Sequence, residues 1–123
     1  MNKYRRIIHW LPTIFWMTVI FVFSARPTLH ASAIDWQDFI VKKTAHFIEY
    51  FILASLVYFS LKKTSSLPKY VLVLFTITIT IFYAATDEYH QTFVTGREGK
   101  VRDVVIDSIG AISSLLTIIA IGL

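Results

Sequence analysis

The stretch Ala84-Ala85-Thr86-Asp87-Glu88-Tyr89-His90-Gln91 follows directly on an apolar run at residues 70–83. Two carboxylates, an imidazole and an amide therefore stand at the end of a segment with the composition of a membrane-spanning helix. Ionisable side chains at that depth cost free energy unless they are paired or serve a function. The stretch predicts a bundle of membrane helices arranged around one polar cluster.

Three further runs have a similar composition, and the four runs predict four membrane spans in a single domain, residues 1–123. We place the spans at about residues 7–25, 44–61, 70–86 and 104–123, each near the ~20 residues that cross a bilayer. Hydrophobic residues make up 55% of the chain, and the runs lack the polar outer faces of a soluble bundle. The predicted fold class is therefore all-α, an integral membrane four-helix bundle with a polar cluster at one membrane face.

The segments between the spans predict how the spans are arranged. Residues 62–69 form a short polar turn, which makes the second and third spans antiparallel neighbours. In the longer connection, charged and aromatic residues alternate at 35–39, which predicts a short helix lying in the headgroup region. The basic start and the small residues at 31–33 are typical of a signal peptide. However, the apolar run is long and ends well before that site, so we expect a retained first span.

The basic residues favour one orientation by their distribution rather than by their number. The leader and the turn at 62–69 carry six Lys and Arg residues and no acidic residue, and the other two loops also carry six. The first set lies in short segments beside the spans, whereas the second is interleaved with the acidic residues. We therefore predict a multi-pass protein with both termini in the cytoplasm, which places the polar cluster outside the cell.

Polar residues from three separate segments are predicted to meet at one end of the bundle. With four spans, the start of the second, the end of the third and the start of the fourth share one side of the membrane. Spacings of three and four residues place polar side chains on one helix face. In the second span this face contains Lys42, His46, Glu49 and Tyr50. In the fourth span, Gly110 and Ser114 extend the face of Asp103 and Asp107 with small residues that permit a close helix contact.

These polar residues are the candidates for function. The candidate catalytic residues are His46, Glu49, Asp87, Glu88, His90, Asp103 and Asp107. The candidate ligand-binding residues are Lys43, Tyr50, Gln91, Arg97 and Arg102. A structural network of ion pairs would use the same residues, because buried charges need partners. The partners open to Asp107 are His46, His90 and Arg97, and those open to Asp87 are Arg97 and Arg102.

The same residues form a pattern that resembles the VanZ-like family of small bacterial integral membrane proteins. The matching elements, in chain order, are Phe23-Ser24, Lys43-x-x-His46-x-x-x-Tyr50, Thr86-Asp87-Glu88-x-His90-Gln91, Gly96-Arg97 and Asp103-x-x-x-Asp107-x-x-Gly110. The chain departs from the family pattern at Thr86, where serine is normal, and at Asp107, where asparagine is frequent. The resemblance implies a cell-envelope protein of the bacterial cytoplasmic membrane, linked to resistance against the glycopeptide antibiotic teicoplanin.

The residues leave the type of function open. One hypothesis is a non-enzymatic protein that binds an exoplasmic ligand, such as a glycopeptide or a lipid-linked cell-wall precursor, with arginines on its phosphate or carboxylate. The alternative is a membrane enzyme that acts on a lipid headgroup or on such a precursor. A third hypothesis is an ion-coupled carrier.

Composition limits the cofactors and partners. The chain has no cysteine, which excludes disulfides and thiolate metal sites. We expect no cofactor, although oxygen and imidazole donors for a divalent metal are present. The net charge of +4 comes from basic residues scattered around apolar runs, which is not typical of nucleic-acid binding. The expected partner is the lipid bilayer, and the sequence does not indicate an oligomeric state.

Overall fold

The computed structural model describes residues 2–25, 35–94 and 101–123, and most of these residues lie in four α-helices. The helices are α1 (Lys3–Ser24), α2 (Asp35–Thr64), α3 (Lys69–Gln91) and α4 (Val101–Ala120). No strand occurs within these three ranges. Each helix is long and apolar enough to cross a membrane, which confirms the predicted all-α fold with four apolar helices.

Local sequence accounts for where the helices begin. The side-chain oxygen of Asn2 accepts a hydrogen bond of 3.0 Å from the backbone N–H of Arg5, which caps the start of α1. Pro68 lies directly before α3 in an extended conformation, and proline is tolerated there because no helical N–H is lost. Residues 65–68 alone connect α2 to α3, so these helices are antiparallel neighbours, as predicted.

α2 is longer than the second span predicted from the sequence. Its 30 residues correspond to about 45 Å, more than the ~30 Å of a hydrocarbon core. Residues 35–39 form its first turns, so the prediction of a separate headgroup helix at these positions is wrong. A salt bridge of 2.8 Å between Asp38 and Lys42, four residues apart, stabilises the helix at this point.

α2 lies at the centre of the bundle, where it contacts each of the other three helices. Its Tyr50, Leu53 and Val57 are fully buried and pack with Ile20 of α1 and Ala84 of α3. A second buried group near the other end of α2 consists of Tyr58, Leu72, Leu115 and Ile118. The core therefore follows the length of α2.

The outer surface is apolar, and polar groups lie between the helices. Examples of outward side chains, all more than 60% exposed, are Phe15, Phe82 and Leu116. In the interior, Thr13 Oγ1 lies 2.7 Å from Ser60 Oγ, which joins α1 to α2. Tyr83 of α3 donates its hydroxyl hydrogen to the carbonyl oxygen of Met17 in α1 at 2.5 Å. This distribution is typical of helices that pack in lipid, where interhelical hydrogen bonds and close contacts hold the bundle together.

α2 and α4 approach each other closely at Gly110. A Cβ atom at this position would lie only 2.5 Å from the carbonyl oxygen of Phe47. One turn further along α4, Ser114 Oγ lies 2.5 Å from Ser55 Oγ of α2. The close contact predicted from the small residues on this face of α4 is confirmed.

Candidate functional site

Three interhelical pairs form what we call the polar ladder: Lys43–Asp103, His46–Asp107 and Tyr50–Asp87. Lys43 Nζ forms a salt bridge with Asp103 Oδ1, and His46 Nδ1 lies 3.0 Å from Asp107 Oδ1, so both pairs join α2 to α4. Tyr50 Oη donates to Asp87 Oδ2 of α3 at 3.2 Å. Positions 43, 46 and 50 lie three and four residues apart, which places all three on one face of α2.

The carboxylates at this end of the bundle are withdrawn from solvent. Asp87, Glu88, Asp103 and Asp107 are each exposed by 5% or less. Burial of a carboxylate costs roughly several kcal/mol of desolvation free energy. A single charged or hydrogen-bonding partner on a neighbouring helix offsets only part of that cost. The structure therefore brings together the ionisable residues of the three segments in an arrangement where each depends on the others.

Two oxygen atoms in the ladder have no hydrogen-bond partner among the described residues. They are Asp87 Oδ1 and Asp107 Oδ2, and both are buried. Within the described ranges, no lysine or arginine forms a salt bridge with either carboxylate. Among the described residues, His46 is therefore the group able to balance the negative charge of these two carboxylates when it is protonated.

Glu88 lies close to one pair of the ladder, whereas His90 faces α1. One donor atom each from His46, Glu88 and Asp107 lies within 4.8 Å of the other two. The His90 ring stacks on Phe21, with 4.7 Å between centroids, and its Nδ1 is buried without a hydrogen-bond partner in the part of the chain described. Of the partners that the sequence left open to Asp107, the structure selects His46.

Two contacts with α1 complete this end of the bundle. Gln91 Nε2 donates to Ser24 Oγ at 3.3 Å, and both residues are buried. Glu49 is half-buried, and its backbone carbonyl accepts a hydrogen bond of 2.9 Å from Trp16 Nε1. Sequence spacing did not reveal these pairs, because each joins helices whose relative rotation is set only by packing.

Lys43, rather than Lys42, faces the polar ladder. The predicted face of α2 contained Lys42, but Lys42 Nζ forms its salt bridge with Asp38 on the same helix. Successive residues point about 100° apart around a helix. The 100° between the two lysines places Lys43 beside α4, where it reaches Asp103, and leaves Lys42 to pair within α2.

Arg102 lies at the outer edge of the ladder. Its Nε is 4.0 Å from Asp103 Oδ1, and its guanidinium lies over the Phe39 ring, 5.1 Å from the centroid. It pairs with Asp103 and forms no salt bridge with Asp87, which accepts a hydrogen bond from the Tyr50 hydroxyl, so Arg102 is excluded from the two partners that the sequence left open to Asp87. Arg97, the other predicted ligand-binding arginine, lies outside the described residues.

A groove of about 360 Å³ lies between α2 and α4 beside the ladder. It is lined by Phe39, Lys43, Thr44, Phe47, Ile106 and Ile109. Lys43 and Arg102 share the single carboxylate of Asp103, so these three side chains together carry one positive charge. The groove therefore has apolar walls and a cationic rim. The sequence analysis did not predict this groove. The available signal was the pair Phe39 and Phe47, which lie one turn before and one turn after Lys43.

The geometry offers binding chemistry of two kinds. The cationic rim suits an anionic group such as a phosphate or a carboxylate, because arginine donates hydrogen bonds to both. The group of His46, Glu88 and Asp107 combines nitrogen and oxygen donors that suit a cation. Both lie at the same end of the bundle.

Comparison with known proteins gives one match. The model of the VanZ/LLP1 family matches residues 5–122, which include the whole polar ladder and nearly all of the four helices. No curated protein and no solved structure matches the chain. The family match agrees with the motif elements along the sequence and with four apolar helices that are long enough to span a bilayer. The chain therefore belongs to the VanZ/LLP1 family of membrane proteins.

Proposed function

We propose that this protein binds an anionic lipid, a lipid-linked cell-wall precursor, on the outer side of the bacterial cytoplasmic membrane. The observation that carries the proposal is the groove between α2 and α4, which combines apolar walls with a cationic rim. A lipid with a phosphate headgroup is complementary to this groove, because its hydrocarbon chain matches the apolar walls and its phosphate matches the cationic rim. The binding function is non-enzymatic.

The apolar walls select the shape of the ligand more than they contribute affinity. Phe39, Phe47, Ile106 and Ile109 line the groove between two membrane helices. A hydrocarbon chain that moves from the bilayer into this groove exchanges one apolar environment for another, so it gains little hydrophobic free energy. The affinity for one lipid over the surrounding lipids must therefore come from its headgroup.

Arg102 is the residue best placed to bind that headgroup. Its side chain is 54% exposed, whereas the Lys43 side chain is 20% exposed and is held by Asp103. A guanidinium binds phosphate oxygens through two parallel hydrogen bonds, which an ammonium group cannot reproduce. Each basic residue near an anionic lipid surface contributes about 1 kcal/mol.

Binding is tested with the full chain in nanodiscs and a long-chain polyprenyl phosphate as the probe, with the neutral polyprenol as its matched control. We expect the phosphate to bind and the alcohol not to bind, measured by native mass spectrometry. Arg102→Gln should weaken binding about fivefold, from the loss of about 1 kcal/mol, and Arg102→Lys should weaken it less. Lys69→Gln, an exposed lysine at the other end of the bundle, should have no effect.

Two results would contradict the proposal. The first is equal binding of the phosphate and the alcohol, and the second is unchanged binding in Arg102→Gln. The family resemblance links such proteins to teicoplanin resistance, so teicoplanin is included as a competitor. If teicoplanin binds the protein in nanodiscs that contain no polyprenyl phosphate, the ligand is the glycopeptide rather than the precursor.

The proposal also requires an orientation, with both termini in the cytoplasm and the polar ladder outside. The chain has no cysteine, so single cysteine variants report without background. Thr92→Cys lies at the exposed end of α3 beside the ladder, and Ser66→Cys lies in the exposed turn before α3. A membrane-impermeant maleimide added to intact cells should label position 92 and not position 66. The reverse result would place the groove rim in the cytoplasm and exclude an exoplasmic ligand.

A further inference from the structure

His46, Glu88 and Asp107 come from α2, α3 and α4, and one donor atom of each lies within 4.8 Å of the others. His46 Nδ1 and Asp107 Oδ1 are already 3.0 Å apart. Two ligands on one tetrahedral zinc ion, with bonds of about 2.0–2.1 Å, lie roughly 3.4 Å apart. The first pair thus has nearly the spacing of metal ligands. Glu88 has to approach by roughly 1.4 Å at most, which is within the reach of rotation about its side-chain bonds.

The charge of this region favours a bound cation. Asp107 is fully buried, and Asp87 is 4% exposed. Lys43 pairs with Asp103 instead, and none of the described lysines and arginines forms a salt bridge with Asp87 or Asp107. Buried carboxylates need a close positive charge to offset their desolvation. A divalent ion supplies that charge without adding a side chain to the interior.

Asp107 also offers an oxygen atom that no described residue uses. Its Oδ2 has no hydrogen-bond partner within the described ranges. Bulk water cannot serve as that partner, because the side chain is not exposed to solvent. Buried polar atoms are nearly always satisfied by protein, water or an ion. This feature is independent of the distances among the three donors, and it is the state expected of a carboxylate that binds a ligand.

We propose that His46, Glu88 and Asp107 bind a divalent transition-metal ion, Zn²⁺ or Mn²⁺. The imidazole favours zinc, and the two carboxylates are also ligands of manganese, so the donor set suits both. Three protein ligands leave at least one coordination position for water or for an oxygen of a bound anion. The ion connects three of the four helices at the level of the polar ladder. The site does not depend on the proposed lipid ligand, so it is tested without lipid.

The experiment uses the full chain, purified in detergent and freed of metal with a chelator. Zn²⁺ and Mn²⁺ are added separately, the bound metal is counted by mass spectrometry, and affinity is measured by competition with a chromophoric chelator. We expect one ion per chain. Asp107→Asn keeps the shape of the side chain but removes its charge, and it should weaken binding by at least ~100-fold, since outer-shell changes alone cost 10–100-fold.

Asp38→Asn is the matched control. The substitution is the same, but Asp38 lies two turns before His46 on α2 and pairs with Lys42 of the same helix, outside the polar ladder. Its metal affinity should stay within about threefold of the wild type, well below the 10–100-fold effect of an outer-shell change. Metal should raise the Tm of the wild type and of Asp38→Asn, and it should leave the Tm of Asp107→Asn unchanged, because only a form that binds the ion is stabilised.

Two results would overturn the site. The first is a wild-type protein that retains neither metal after desalting. The second is unchanged metal affinity in both Asp107→Asn and Glu88→Gln, where Glu88→Gln also serves if Asp107→Asn does not fold. A protein that binds the metal but not the polyprenyl phosphate keeps the metal site and contradicts only the proposed function.

Discussion

Replacement of Gly110 by alanine tests the close contact between α2 and α4 on which the polar ladder depends. The new Cβ would lie 2.5 Å from the carbonyl oxygen of Phe47 and 3.3 Å from its carbonyl carbon and Cα. All three are backbone atoms, so rotation of a side chain cannot relieve the contact. Ordinary contact begins at 3.4 Å, so the helices have to separate locally by about 0.9 Å, the difference between 3.4 and 2.5 Å.

Two opposing effects decide the stability of this variant. Alanine in a helix interior is more favourable than glycine by about 0.5–1 kcal/mol. An extra methyl group in a well-packed contact costs about 1–3 kcal/mol, and the upper part of this range applies where backbone must move. We therefore expect Gly110→Ala to lower the free energy of unfolding by about 1–2 kcal/mol. The same separation should lengthen the 3.0 Å contact between His46 and Asp107, because these residues lie one and three positions away from the clash.

The free energy of unfolding is measured by titration with SDS in mixed micelles. Thr117→Ala on the exposed side of α4 is the control. Its hydroxyl donates to the carbonyl oxygen of Ser113 in the same helix, so its effect should stay within about 0.5 kcal/mol. If Gly110→Ala is as stable as the wild type, or more stable, the gain in helix propensity outweighs the clash. In that case the backbones of α2 and α4 are further apart at Gly110 than the 2.5 Å contact with the Phe47 carbonyl oxygen implies.

Two further substitutions test single hydrogen bonds in the interior. Tyr50→Phe removes the hydroxyl that donates to Asp87. Because the acceptor stays buried, the free energy of unfolding should fall by about 1–3 kcal/mol and the Tm should fall with it. An unchanged Tm in thermal unfolding would show that Asp87 does not depend on this donor. Ser114→Ala removes the 2.5 Å contact with Ser55, which keeps its own bond to the carbonyl of Phe51. The expected loss is about 0.6 kcal/mol in SDS unfolding, and a loss of several kcal/mol would contradict this account.

The number of helices and the end at which the polar residues meet could be predicted, because both depend on chain order. Apolar runs define four helices, and the four-residue connection after α2 fixes α2 and α3 as antiparallel. Their order then places His46, Asp87 and Asp107 at one end, and the structure joins them through His46–Asp107 and Tyr50–Asp87. The small residues on α4 also predicted a close contact, because only they allow two backbones to approach.

The individual partners could not be predicted, because they depend on the rotation of each helix about its axis. Lys42 and Lys43 are neighbours in sequence, yet a difference of about 100° sends one to Asp38 and the other to Asp103. The start of α2 had a usable signal in the spacing of Asp38 and Lys42, which favours one continuous helix. The groove had only a weak signal, the two aromatic residues that flank Lys43, because Phe47 resembles any lipid-facing residue until α4 is packed beside it.

The pairing of α2 with α4 has a consequence for the insertion of the helices into the membrane during synthesis. Lys43 and His46 of α2 are synthesised before Asp103 and Asp107 of α4. During synthesis α2 therefore exists for a time without the carboxylates with which it pairs. A charge costs about 2.5–3.5 kcal/mol on insertion at the centre of an isolated helix, and α4 carries two aspartates in its first seven residues. We expect packing against α2 to lower the cost of inserting α4, because Lys43 and His46 pair with these aspartates. A nascent chain arrested before residue 101 would leave Lys43 without Asp103.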